Sequence, residues 1–105
     1  MRAILIEPAK QEVSLQDIRV SPSDLRELLG ATPRRVARLP NGDVVLAAPE
    51  AGRNRRFTMG GSKPVNGRAF VLGRVDRFRE HKPAKSEVVC IKRLVRWVGF
   101  SSSEG

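Results

Sequence analysis

The sequence predicts an α+β fold. It is a mainly antiparallel sheet of 4–5 strands, with a helix near 22–29 and a C-terminal helix near 87–98 packed on one face. Three observations carry this expectation. Short apolar runs of strand length recur along the chain. An Asn-Gly pair separates two of them. Two other segments switch to helical spacing of their apolar residues.

The first strand is Ala3-Ile4-Leu5-Ile6, stopped by Pro8. A run without polar interruption suits a central strand covered on both faces. Residues 12–20 give a second strand, in which Val13, Leu15, Asp17 and Arg19 alternate with Ser14, Gln16, Ile18 and Val20. Ser21-Pro22-Ser23-Asp24 then opens a helix, with a capping hydroxyl, a first-turn proline and an early acid. Leu25, Leu28 and Leu29 form its apolar stripe, and Gly30 ends it.

Residues 34–39 and 43–48 form a hairpin around Asn41-Gly42, whose central residues both tolerate positive φ. Regular alternation in 34–39 places Val36 and Arg38 on one face, and Arg35 and Ala37 on the other. A loop at 49–54, a brief strand at 55–59 and a flexible loop at 60–67 follow. Residues 68–73 read as another buried strand, and 76–85 as a polar connector broken by Pro83. In the last element Ser86 is the expected cap. Val88, Ile91, Val95 and Val98 recur at i, i+3, i+7 and i+10, and Leu94 widens the stripe. Lys92, Arg93 and Arg96 take the other side. This predicts an amphipathic helix, with its β-branched content leaving a strand as the alternative. Residues 1–100 form one domain and 101–105 a flexible tail.

Charge says most about partners. The chain has 105 residues, with Lys+Arg 20 against Asp+Glu 11 and a net charge of +9. Residues 1–49 carry seven basic and six acidic side chains; residues 50–105 carry thirteen and five. The excess of +8 in the second half favours an anionic partner, nucleic acid or a nucleoprotein. One cysteine excludes an internal disulfide framework. The apolar runs fall far short of the ~20 residues of a membrane helix. Glu7 interrupts the apolar start where a signal peptide needs its core. The expectation is a soluble, cytoplasmic protein with no membrane partner.

Chemistry-bearing clusters are scarce. His81 and Cys90 are the only soft metal ligands, so neither a metal nor another cofactor is expected. Cys90 reads as a small core residue. His81 is the only conventional base, no nucleophile elbow is present, and the acids stand singly among arginines. The expectation is a non-enzymatic protein without catalytic residues. Gly60-Gly61-Ser62-Lys63 resembles a fragment of a phosphate loop, but that pattern opens a helix after its lysine, and here Pro64 follows and no helix starts, so it reads as a flexible hairpin loop.

The basic segments remain. Arg53-Asn54-Arg55-Arg56-Phe57 and Arg74-Val75-Asp76-Arg77-Phe78-Arg79 interleave arginine with an aromatic ring. Guanidinium forks grip phosphates, and an exposed ring stacks on a base. The candidate binding residues are Arg53, Arg55, Arg56, Arg77 and Arg79. Lys63 joins them from the glycine loop, and Lys92, Arg93 and Arg96 from the last helix. Phe57, Phe70 and Trp97 are expected in the core, with Phe78 left open.

The strand Arg2-Ala3-Ile4-Leu5-Ile6-Glu7-Pro8, the helix end Leu25-Arg26-Glu27-Leu28-Leu29-Gly30 and the hairpin Leu39-Pro40-Asn41-Gly42-Asp43-Val44-Val45-Leu46 occur in that order. Gly67-Arg68-Ala69-Phe70-Val71-Leu72-Gly73 and Ser86-Glu87 follow. Over residues 1–98 this order resembles a family of small proteins, a domain of unknown function encoded by bacteriophages, plasmids and their hosts. The resemblance implies a mobile genetic element in a bacterial cytoplasm and supplies no catalytic residue. Members tend to be acidic or neutral before the last helix, where this chain has Arg74-Val75-Asp76-Arg77-Phe78-Arg79-Glu80-His81-Lys82. The reading is a basic binding module that contacts nucleic acid or a nucleoprotein through its Arg-rich second half. The alternative is a stoichiometric inhibitor of a host defence protein, of the anti-CRISPR or anti-restriction kind. The positive charge argues against a DNA mimic.

Overall fold

Three strands of the protein are apolar at nearly every position, and the architecture follows from them. They are β1 (Arg2–Glu7), β4 (Val44–Ala47) and β7 (Ala69–Leu72). A strand with two apolar faces must be covered twice. The computed structural model, which describes residues 1–18, 22–48, 56–60, 64–75, 77 and 80–98, places all three at the centre of a five-stranded antiparallel sheet. With β2 (Glu12–Asp17) and β3 (Arg34–Arg38) at the edges, the order is β2-β1-β7-β4-β3.

The two faces bury different partners. Ala3, Val44, Leu46, Phe70 and Leu72 pack against Leu25 and Leu29 of α1 (Pro22–Leu29). Ile4, Ile6, Val45, Ala47, Ala69 and Val71 pack against the opposite cover. That cover combines α2 (Val88–Leu94) with a second antiparallel sheet of order β6-β5-β8. Its strands are β5 (Arg56–Met59), β6 (Val65–Asn66) and β8 (Val95–Val98). The fold is α+β, and Phe57 and Phe70 are buried as expected.

Several expectations are corrected. The two helices lie on opposite faces of the large sheet, not on one, because both faces of its central strands are apolar. The C-terminal helix ends at Leu94 instead of continuing to 98, and Val95 is already extended at φ −79 and ψ 134. Val95 fits both periods, but Val95 and Trp97 turn inward at strand spacing, and Trp97 is only partly buried. Ile91 is the one buried residue of the helix, and Cys90, a step of about 100° round it, is exposed rather than in the core. Ser86 does not cap it; Glu87 occupies the cap position without a side-chain hydrogen bond.

The 39–43 hairpin forms with a different turn. Gly42 N–H donates to the Leu39 carbonyl at 3.0 Å, and of the turn residues only Gly42 has positive φ, at 96°. Proline fits the second position of a type I turn, and a following left-handed glycine gives a three-residue hairpin loop. A two-residue turn would need Pro40 to donate an N–H to Asp43, which proline lacks, so Leu39 N–H closes the hairpin instead, at 2.8 Å. The expected loop at 49–54, the tail at 101–105, Ser21 and Phe78 lie outside the described residues. So does the 61–63 part of the glycine loop. Among the described residues, no helix is long and apolar enough to cross a membrane.

Two polar contacts close the large sheet at one end. Arg68 pairs with Glu7 at 2.7 Å and donates to the Leu28 carbonyl at 3.0 Å, where the end of α1 leaves acceptors open. At the far end of the β1–β2 pair, the Met1 ammonium contacts Asp17. Hydrogen bonding to that ammonium, followed by its charge, holds the Asp17 carboxyl below the usual aspartate range. The tether is therefore complete at neutral pH and is lost in acid, as pH falls through the lowered value. A carbon-detected NMR titration will give Asp17 a midpoint below that of an ordinary aspartate. Acetylation of the amine will return it to the ordinary range.

Candidate anion-binding pocket

Asp43 is a fully buried carboxylate. A buried charge needs several donors to offset its lost hydration. The chain supplies them from Lys85 and Ser86. Lys85 N–H donates at 2.9 Å, Ser86 N–H at 2.8 Å and the Ser86 hydroxyl at 2.7 Å. Asn41 completes the network: its Nδ2 donates to Ser86 Oγ at 3.0 Å, and its Oδ1 accepts from Asp43 N–H at 2.9 Å. Arg2 clamps the same segment from the other side. Its guanidinium donates to the carbonyls of Ala84 and Ser86, each at 2.7 Å. Residues 80–85, expected as a loose connector, are thus locked to the sheet.

The chain reaches this clamp through a close approach at Gly73. Gly73 N–H donates to the Lys82 carbonyl at 2.7 Å, and a Cβ on Gly73 would lie 2.6 Å from the Pro83 carbonyl oxygen. Val75 and His81 then pair across the turn between them. His81 Nδ1 lies 2.8 Å from the Gly73 carbonyl. A carbonyl only accepts, so Nδ1 carries the proton and Nε2 is the ring nitrogen left for other partners.

Opposite this turn, β3 does something its alternation does not predict. Arg35 pairs with Leu46, but Ala37 pairs with Val45 and Arg38 with Val44. The extra residue, Val36, is a bulge. Residues three apart normally point to opposite faces of a strand; the bulge brings Arg35 and Arg38 to the same one. This is the face of Val44 and Leu46, on the α1 side of the sheet.

A cavity of about 590 Å³ opens there. Arg35, Arg38, Arg74 and His81 surround it, over the apolar side chains of Val44, Leu46 and Val75. Among the described residues, no carboxylate lines it. Among the described residues, no hydrogen bond or ion pair holds the side chains of Arg35, Arg38 or Arg74. Three guanidinia sharing one concave surface repel one another and attract an anion.

The expected binding residues are elsewhere. Arg53, Arg55, Lys63 and Arg79 lie outside the described residues. Arg77 is exposed in the turn beyond Val75 and does not line the cavity. Arg56 and Arg96 share the outer face of the small sheet. Arg96 lies opposite Thr58, diagonal to Arg56, a separation of roughly 7–8 Å. Arg96 also folds back onto the Arg93 carbonyl at 3.2 Å, closing the end of α2. Lys92 and Arg93 are exposed on that helix. This second basic surface lies on the other side of the large sheet from the pocket. Sequence reasoning missed Arg35 and Arg38 because they sit in the charge-balanced half. The signal that could have found them was the Arg-Arg-Val-Ala-Arg spacing in an edge strand, where bulges concentrate. Among the described residues, no trio of His, Cys, Asp or Glu lies close enough to hold a metal ion.

No family model, curated protein or solved structure matches the chain.

Two substitutions test the clamp. Asp43→Ala will strand the Lys85 and Ser86 donors and lower stability by about 2–4 kcal/mol in urea unfolding. Gly73→Ala will force the 82–83 carbonyls away and cost about 2 kcal/mol.

Proposed function

We propose that this protein is a non-enzymatic nucleic-acid-binding module whose pocket grips backbone phosphate. One observation carries the reading: Arg35, Arg38 and Arg74 line a common cavity that, among the described residues, no acidic side chain lines. Guanidinium groups suit phosphate, since each presents a planar fork of donors and stays charged at any cellular pH. The net charge of +9 supports the same partner at longer range by steering polyanions to the surface. Arg56, Lys92, Arg93 and Arg96 extend the contact on the far side for a strand long enough to wrap the edge. The resemblance to small phage- and plasmid-encoded proteins supports a setting in which foreign or replicating nucleic acid is the partner.

Fluorescence anisotropy with a labelled single-stranded oligonucleotide tests the reading. Three phosphate contacts give a slope of about −2 for log affinity against log salt on single strands. Arg35→Gln with Arg38→Gln will weaken binding roughly tenfold or more at low salt and flatten that slope by one to two units. Absence of binding at low salt would refute the proposal. So would binding that the double variant leaves unchanged.

A further inference from the structure

The pocket offers more than a phosphate needs. Its volume of about 590 Å³ falls in the range of small-molecule sites, roughly 300–1,000 Å³. Three arginines at the wall account for the anionic part of a ligand. Val44 and Leu46 form a buried apolar floor beneath them, and Val75, 47% exposed, stands at the edge. A bare phosphate would leave Val75 uncovered. A ligand with an anionic end and a flat, weakly polar body uses both parts of the surface. Guanidinium planes also stack on flat rings.

We propose that the pocket receives a single nucleoside phosphate, with its phosphate on Arg35, Arg38 and Arg74 and its base over Val44, Leu46 and Val75. The inference rests on the phosphate-gripping reading above and adds the unit that is held. The nucleotide comes either free or as an unpaired residue of a single strand. A base-paired duplex is excluded by shape. Its bases are stacked inside a convex rod, and one reaches a concave floor only after leaving the stack. The aliphatic floor carries no donor or acceptor, so the site discriminates phosphorylated from unphosphorylated ligands and is tolerant of base identity.

Isothermal titration of the full chain with adenosine monophosphate, adenosine and inorganic phosphate tests this. The monophosphate will bind at least tenfold more tightly than either fragment. Arg38→Gln and Arg74→Gln will each lower its affinity about tenfold. Val75→Ser will weaken the monophosphate severalfold and leave inorganic phosphate unchanged. These side chains are exposed, and an unaltered melting temperature will show that the variants fold. Equal affinity for the monophosphate and inorganic phosphate would overturn the inference, as would binding indifferent to Arg38→Gln. Competition assigns the source. Displacement of a 5′-phosphorylated single strand by the monophosphate, with a blunt duplex failing to displace it, supports a strand residue. Binding of the monophosphate without any oligonucleotide binding supports a free nucleotide and refutes the nucleic-acid reading alone. Salt-sensitive oligonucleotide binding that the monophosphate cannot displace refutes this inference alone. Binding of nothing refutes both.

Discussion

The burial of the Asp43 carboxylate is the constraint on which the remaining structure turns. A charge without water is tolerable only where donors converge on it, and here they are two backbone amides and one hydroxyl from residues 85 and 86. That requirement fixes where the chain returns after β7. It sets the start of α2, which follows at once, and through α2 the path of β8. Ser86 is not the helix cap: it stands one residue before the cap position at Glu87, and its hydroxyl donates to Asp43 and accepts from Asn41. Fold and pocket share this anchor, since it ties the hairpin tip to the segment that carries His81.

Charge along the chain and charge in space are different quantities in this protein. The first half is nearly neutral by count, yet it supplies Arg35 and Arg38. Three of its six acids are engaged internally: Asp43 on backbone donors, Glu7 on Arg68 and Asp17 on the amino terminus. An acid engaged this way does not compensate an arginine on the opposite strand. The second half holds the larger excess, but part of it is structural, because Arg68 braces β1 against the end of α1.

The legibility of the sequence tracked how local each determinant is. The central strands were readable because continuous apolar runs report burial on both faces. Helix α1 was readable because its cap, stripe and terminal glycine all lie within ten residues. The placement of α2 and β8 was not, since Val95 satisfies both helical and strand periods and only pairing with β5 decides between them. The pocket was the least legible feature. It depends on Val36 being extruded from the β3–β4 ladder, and alternation read without the partner strand assigns Arg35 and Arg38 to opposite sides. Cys90 misled for a different reason: its neighbours in sequence are apolar, but α2 buries Ile91, and Cys90, one step round the helix, is exposed.

The position of β7 in the large sheet has a kinetic consequence. The β1–β2 and β3–β4 pairs are local and can form as each segment emerges. Neither finds its place until residues 69–72 arrive to pair with β1 on one side and β4 on the other. The middle of the sheet is thus made late in synthesis, and two hairpins must wait with apolar edges unsatisfied. Such non-local closure slows folding and exposes edges prone to association. Assembly of this protein is governed by the last third of its chain, although most of its large sheet is already present by residue 48.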